Sequence, residues 1–164
     1  MYKKSLTREQ ALQKLRHYCG YQERSHQEVR SKLFDLGVRR SEHDDIIAVL
    51  IEENYLNEER FALAYAGGKW RMKQWGRVRI RYALQQKKVS DYCINKALRQ
   101  IGEEEYLQVL AELARERYRS LKGEQYLVRQ KKTLDHLIAR GFEAALIQQE
   151  IRKLRSGDEA ADSA

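Results

Sequence analysis

Gly76-Arg77-Val78-Arg79-Ile80-Arg81-Tyr82-Ala83-Leu84-Gln85-Gln86-Lys87-Lys88-Val89 reads as one amphipathic helix ending on an apolar residue, and its pattern recurs in the chain. Ile80 and Leu84 fall on one stripe of an ideal helix, with Ala83 close to it. Fifty-one residues earlier, Val29, Leu33 and Val38 stand where Ile80, Leu84 and Val89 stand here. Fifty-three residues later, Leu137 and Phe142 take the places of Leu84 and Val89. The helix that follows repeats as well: Ile46, Ile94 and Ile147 correspond, as do Leu50, Leu98 and Ile151. Its second step is the same fifty-three, so two helices stay in register together. Thr133 and Glu150 are the weak matches. Three divergent copies of a three-helix unit account for the pattern.

Working outward, helical periodicity predicts nine helices. The first runs over about 8–19, with Ala11, Leu12 and Leu15 facing inward. Ser25, with Glu28 three residues on, makes a capping box for the second, and Gly37 stands at its C-terminal stop. Ser41 or Asp44 opens the third, and Asn57 caps a fourth that reaches Lys73. The remainder are expected at 76–88, 90–101, 103–121, 124–140 and 142–154. The expected division is 1–55, 56–102 and 103–155, followed by a disordered acidic tail at 156–164. Stacked units of this kind share a continuous apolar layer, which predicts an elongated, curved all-α array.

Composition agrees. The 164 residues hold no proline and nine glycines, whereas an antiparallel sheet protein would need many turn residues of both kinds. Apolar residues are 42% and charged ones 34%, which suits thin helical layers. The opening Met1-Tyr2-Lys3-Lys4-Ser5-Leu6-Thr7 lacks the apolar region of a secretory leader, and no run is long enough to cross a bilayer. Cys19 and Cys93 are too few for a disulfide framework and are expected to be reduced packing residues, placing the chain in the cytoplasm.

The formal net charge is +8 and it is concentrated. Between Glu59 and Asp91 no acidic residue occurs, while Lys69, Arg71, Lys73, Arg77, Arg79, Arg81, Lys87 and Lys88 do. Arg77, Arg81 and Lys88 lie within roughly 40° of one another on an ideal helix, at the border of the apolar stripe. Cations in a row neutralise successive phosphates, giving salt-dependent binding without sequence preference. Trp70, Trp75 and Tyr82 offer ring faces for unpaired bases, although a tryptophan here equally suits a plug in the joint between repeats. Arg129, Lys131 and Lys132 belong to a second basic set with Arg115, Arg117, Arg119 and Lys122, diluted by Glu116 and Glu124.

Little in the sequence could run a reaction. His17, His26, His43 and His136 form no metal-ligand pattern, no glycine-rich phosphate loop is present, and no cofactor is implied. Glu103-Glu104-Glu105 and Asp44-Asp45 read as first-turn charges favoured by the helix dipole. Gly67-Gly68 reads as a kink or a close-packing point. The expectation is a non-enzymatic binding protein.

Four segments resemble the RecX family. Ser25-His26-Gln27-Glu28-Val29-Arg30-Ser31-Lys32-Leu33 resembles its early element, and Tyr55-Leu56-Asn57-Glu58-Glu59-Arg60-Phe61-Ala62 its central G-Y-L-D-D-x-x-F-A segment. Gly76 with Arg79-Ile80-Arg81, Leu84, Lys87 and Val89 is similar to G-x-x-R-I-x-x-E-L-x-x-K-G-I, and Arg140-Gly141-Phe142 to the closing R-R-G-F. Asn54 and Lys88 stand where glycines are usual, Ala83 replaces the glutamate, and Asn57-Glu58 the acidic pair. The resemblance implies three tandem three-helix repeats and a regulator, mainly an inhibitor, of the RecA recombinase; the chain is expected to be a monomer. It further implies partners in the RecA filament and its single-stranded DNA, with weaker binding to duplex DNA. Lodged in the filament groove, such a protein would obstruct strand exchange, filament growth and RecA-stimulated repressor cleavage. An independent DNA-binding helix-turn-helix protein, or a pure protein scaffold, is the alternative reading of the same residues.

Overall fold

The computed structural model describes residues 6–163, so the opening residues 1–5 on which the reading of the chain start rests lie outside the described residues. The described residues form α1 (Arg8–Tyr21), α2 (His26–Asp35), α3 (Arg40–Glu52), α4 (Glu58–Lys73) and α5 (Arg77–Gln86). They continue as α6 (Asp91–Arg99), α7 (Glu103–Ser120), α8 (Tyr126–Arg140) and α9 (Ala144–Asp162), with no strand among them.

Local chemistry sets the starts. Thr7 and Ser25 both close full capping boxes, with Gln10 and Glu28 respectively returning a side-chain bond to the cap backbone. Asn57 Oδ1 accepts the Arg60 amide at 2.8 Å, as its position before α4 predicts. Neither Ser41 nor Asp44 opens α3; the helix begins at Arg40 with no side-chain cap.

The stops repeat with the sequence period. Gly37, Lys88 and Gly141 all take positive φ, at 76°, 61° and 101°. In each case the next amide reaches back to the helix: Val38 to the Leu33 carbonyl, Val89 to Leu84, and Phe142 to Leu137, at 3.0–3.2 Å. This is the Schellman closure, and it places one left-handed residue after each copy of the middle helix. The stripe residues agree, since Val29, Leu33, Ile80, Leu84 and Leu137 are all fully buried. The weak match Thr133 is buried too: its hydroxyl donates to the Arg129 carbonyl at 2.8 Å, so the helix satisfies it internally.

Packing gathers the chain into two compact units, one of residues 6–66 with 83–97 and the other of 67–82 with 98–163. The first is centred on Ala11, Leu12, Leu15, Val29, Leu33, Ile46, Leu50 and Leu56. Arg16 bridges Glu9 and Glu53 on its surface, and Arg60 joins Glu23. The second unit buries Leu110, Ala114, Tyr118, Leu137, Ile147 and Ile151. An aromatic ladder runs through it, Trp70 stacking on Tyr106 at 5.3 Å and Tyr106 meeting Phe142 at 5.2 Å.

The tail expectation needs correction. α9 continues to Asp162 through the segment whose composition reads as disordered. Arg155 pairs with Glu159 one turn on, and Arg129 of α8 reaches Asp158 at 3.3 Å. Those contacts extend the helix although nothing in it beyond Ile151 is buried.

Candidate nucleic-acid interface

Two glycines bring the basic elements of the second unit together. The Gly76 amide donates to the Arg140 carbonyl at 2.8 Å, and Val78 to Gly141 at 2.9 Å. A Cβ on Gly76 would meet the Gly141 carbonyl carbon and oxygen at 2.3 Å, and one on Gly141 would meet Arg79 Cβ at 2.3 Å. The start of α5 is thus bolted to the end of α8, backbone against backbone. Gly67 and Gly68, by contrast, lie within α4.

Around this joint the sequence-predicted cations divide. Lys69 and Arg79 flank Trp75, their charges 4.8 and 4.0 Å from its ring centroid. Arg79 also donates to the Ala139 carbonyl at 3.3 Å. Arg71 and Lys73 are exposed beside Met72, which is 83% exposed. Arg140, not picked out by its charge in the sequence, joins them by donating to the Lys73 carbonyl at 3.4 Å. Its only sequence signal is its place in the Arg140-Gly141-Phe142 motif. Arg81 is half-buried on α5 of the same unit.

Arg77 is different, and the expectation that it lies in a phosphate row is corrected. Its guanidinium is held by Glu103 at 2.8 Å and Glu143 at 3.0 Å, and lies 3.9 Å over the Tyr106 ring. Burial opposes its charge, but the hydrogen bonds it donates to the two carboxylates outweigh it and raise its pKa above the ordinary value. Tyr106 accepts the Arg77 amide and donates to Glu143 at 2.8 Å; burial, first, pushes its phenol well up. Arg77 is a strut of the second unit. No local signal announces this, because its partners lie 26 and 66 residues away.

Trp70 is corrected likewise. It is 5% exposed and its ring faces Tyr106, so it fills the core and presents no face to a base. Trp75 is half-buried between its two cations. In the second basic set, Arg129 is a core strut: its side chain is 14% exposed, lies 3.5 Å over Tyr118 and donates to the Tyr118 carbonyl at 2.7 Å. Lys131 pairs with Asp135 and Lys132 with Glu124, both at 2.9 Å on the surface. Such exposed pairs contribute about 0–1 kcal/mol and yield readily to a phosphate.

In the first unit, Lys87 pairs with Glu28 at 2.9 Å, and Lys88 is exposed at the left-handed stop of α5. Among the described residues there is no cluster of metal-ligating side chains, and no helix is long and apolar enough to cross a membrane.

Comparison with known proteins accords with these elements. The family pattern of RecX, second three-helix domain, matches residues 57–98, and that of the third three-helix domain matches 103–151. The regulatory protein RecX of Prosthecochloris aestuarii is 34% identical over 137 residues, covering 84% of this chain and 88% of that one. That of Bacillus cytotoxicus is 28% identical over 131 residues, 80% of this chain but only 48% of the longer relative. The crystal structure of RecX from Lactobacillus salivarius superposes with a TM-score of 0.81 at 23% identity, covering 90% of this chain and 96% of that one. A second crystal structure, of a regulatory protein RecX, gives 0.79 at 21% identity over 87% of this chain and 71% of that one. With its tandem three-helix domains, its all-α fold and a relative matched over nearly its whole length, the chain belongs to the RecX family of regulatory proteins.

Proposed function

We propose that this chain regulates the RecA recombinase, mainly as an inhibitor. It binds in the groove of the RecA–single-stranded DNA filament and blocks strand exchange, filament growth and repressor cleavage. The observation that carries the reading, beside family membership, is the corner between α4 and α5. There Lys69 and Arg79 lie against the Trp75 ring and Arg71 and Lys73 stand exposed, in a stretch with no acidic residue. Repeated cations with a ring face suit a single strand held without sequence preference. Arg81, Lys131 and Lys132 extend the phosphate contacts within the second unit, where Arg77, Arg129 and Trp70 support the surface from behind, and Lys87 and Lys88 are phosphate contacts carried by the first unit. The repeats at 1–55, 56–102 and 103–155 act as one cytoplasmic monomer, and inhibition is steric, with no chemistry by this chain.

The test is ATP hydrolysis by RecA on single-stranded DNA with the chain titrated in well below one copy per RecA. The salt is set high enough that the chain alone does not hold the DNA. A steep loss of hydrolysis is expected. An unchanged rate with folded protein overturns the reading in favour of an independent DNA-binding protein, which a preference for one duplex sequence would then identify.

A further inference from the structure

Most cations of the second unit are either paired or extended into solvent. Arg77, Arg129, Lys131, Lys132, Lys153 and Arg155 each have a carboxylate at ion-pair distance. Arg117 on α7 and Arg140 on α8 fit neither description. Both are half-buried: Arg140 donates through its guanidinium to the Lys73 carbonyl at 3.4 Å, while on Arg117 it is the backbone carbonyl that accepts, from the Ser120 hydroxyl at 2.6 Å. Arg117 Nε is closed off from solvent with no acceptor within reach. Buried donors without an acceptor are rare in folded proteins, and one inside a guanidinium facing other cations asks for an anion. His136 stands one helical turn before Arg140 on α8, at the open side of the cluster.

This cluster adjoins the α4–α5 corner directly. Arg140 bonds the Lys73 carbonyl and Arg79 bonds the Ala139 carbonyl, so α8 carries the cationic surface from the corner toward Arg117. We infer that Arg117, His136 and Arg140 form a phosphate subsite that takes one backbone phosphate of a single strand whose neighbouring phosphates lie on the α4–α5 corner. The inference rests on the nucleic-acid contact proposed above and extends it to three residues of α7 and α8. A run of phosphates is favoured over a lone carboxylate because Lys69, Arg71, Lys73 and Arg79 continue the surface without an acid among them.

Binding there takes up a proton. Partial burial, then repulsion from Arg117 and Arg140, holds the His136 pKa below its ordinary value, while Glu116 of α7 pulls weakly the other way. The imidazole of the free chain therefore takes up a proton less readily than an ordinary histidine. A phosphate between the two guanidiniums offsets the repulsion and favours the charged ring, so affinity rises as pH falls from 8 to 6.

The test is anisotropy of labelled oligo(dT) with the full chain, titrated with salt at pH 8 and at pH 6. Single-strand binding loses about 0.7 from the slope of log K against log salt for each phosphate contact removed. Arg117→Gln with Arg140→Gln should lower the slope by about 0.7, and Arg117→Lys alone should keep it. His136→Gln should keep the slope at pH 8 and lose the tightening at pH 6. Thermal melting of each variant reads folding independently. Unchanged slopes and an unchanged pH response, with the wild-type chain still binding, overturn the subsite alone. Failure of the wild-type chain to bind oligo(dT) at low salt overturns the nucleic-acid reading and the subsite with it. Variants that keep the oligo(dT) slope but lose retention of poly-glutamate would place an acidic protein segment there and overturn the phosphate assignment.

Discussion

Asn54, Gln74 and Lys88 carry side chains at positive φ, where a Cβ crowds the following carbonyl at a cost of about 1–2 kcal/mol. Two of the three are the positions at which the RecX pattern usually has glycine, so the departures leave the backbone turn in place and change only its cost. Asn54 recovers part of it, because its Oδ1 and its carbonyl both accept from the Arg60 guanidinium at 3.0 Å. Lys88 has no such side-chain bond and stands exposed. Lys88→Gly should therefore stabilise the chain by ~1 kcal/mol, read as a raised urea midpoint with unchanged slope. The tryptophans separate at the same scale. Trp70→Ala removes the ring stacked on Tyr106 and should cost about 3–5 kcal/mol, whereas Trp75→Ala should cost far less and weaken oligo(dT) binding instead. Cys19 is buried and its thiol is pushed up to about 11, first by that burial. It should resist iodoacetamide at pH 8 in the native chain and react fully in urea.

Among the elements, the glycines of α4 and of the α5–α8 joint make opposite predictions from the same substitution. Gly76→Ala drives a methyl into the Gly141 carbonyl, where backbone cannot step aside. A loss of about 3 kcal/mol or more is expected, and thermal melting should show it. Gly68 lies inside α4 with nothing within 4 Å of an added Cβ. Gly68→Ala should gain ~1 kcal/mol from helix propensity alone. A Gly76→Ala chain as stable as the parent would sink the account of that joint. The joint also brings the two motifs that resemble RecX, around Gly76 and at Arg140-Gly141-Phe142, into one contact.

For the whole molecule, charge is distributed by unit. Residues 67–82 hold six cations and no acid, while 98–164 hold twelve of each, so the excess of the second unit comes wholly from its short first segment. Replacing Lys69, Arg71 and Lys73 together by Gln should lower the salt slope of single-strand binding by about 2, at ~0.7 for each contact, with little change in melting temperature. Arg77→Gln should do the reverse, lowering the melting temperature and leaving the slope near its starting value, because Glu103 and Glu143 already neutralise it. Equal effects of the two variants on the slope would return Arg77 to the binding surface.

Sequence by itself determined the succession of helices, the caps at Ser25 and Asn57 and the threefold register, but not the start of α3 or the extent of α9. The former are local or periodic properties: a capping box spans four residues, and a stripe residue is buried wherever its helix packs. The register even foretold that Leu84 and Leu137 would be equivalent and buried. Tertiary structure alone decided which cations are free to meet a phosphate. Arg77 and Arg79 are two residues apart on one helix, yet one is clamped by carboxylates of α7 and Glu143 while the other covers Trp75. Charge is read from composition, but its availability depends on partners that only folding brings within ion-pair reach, and those partners lie far away along the chain.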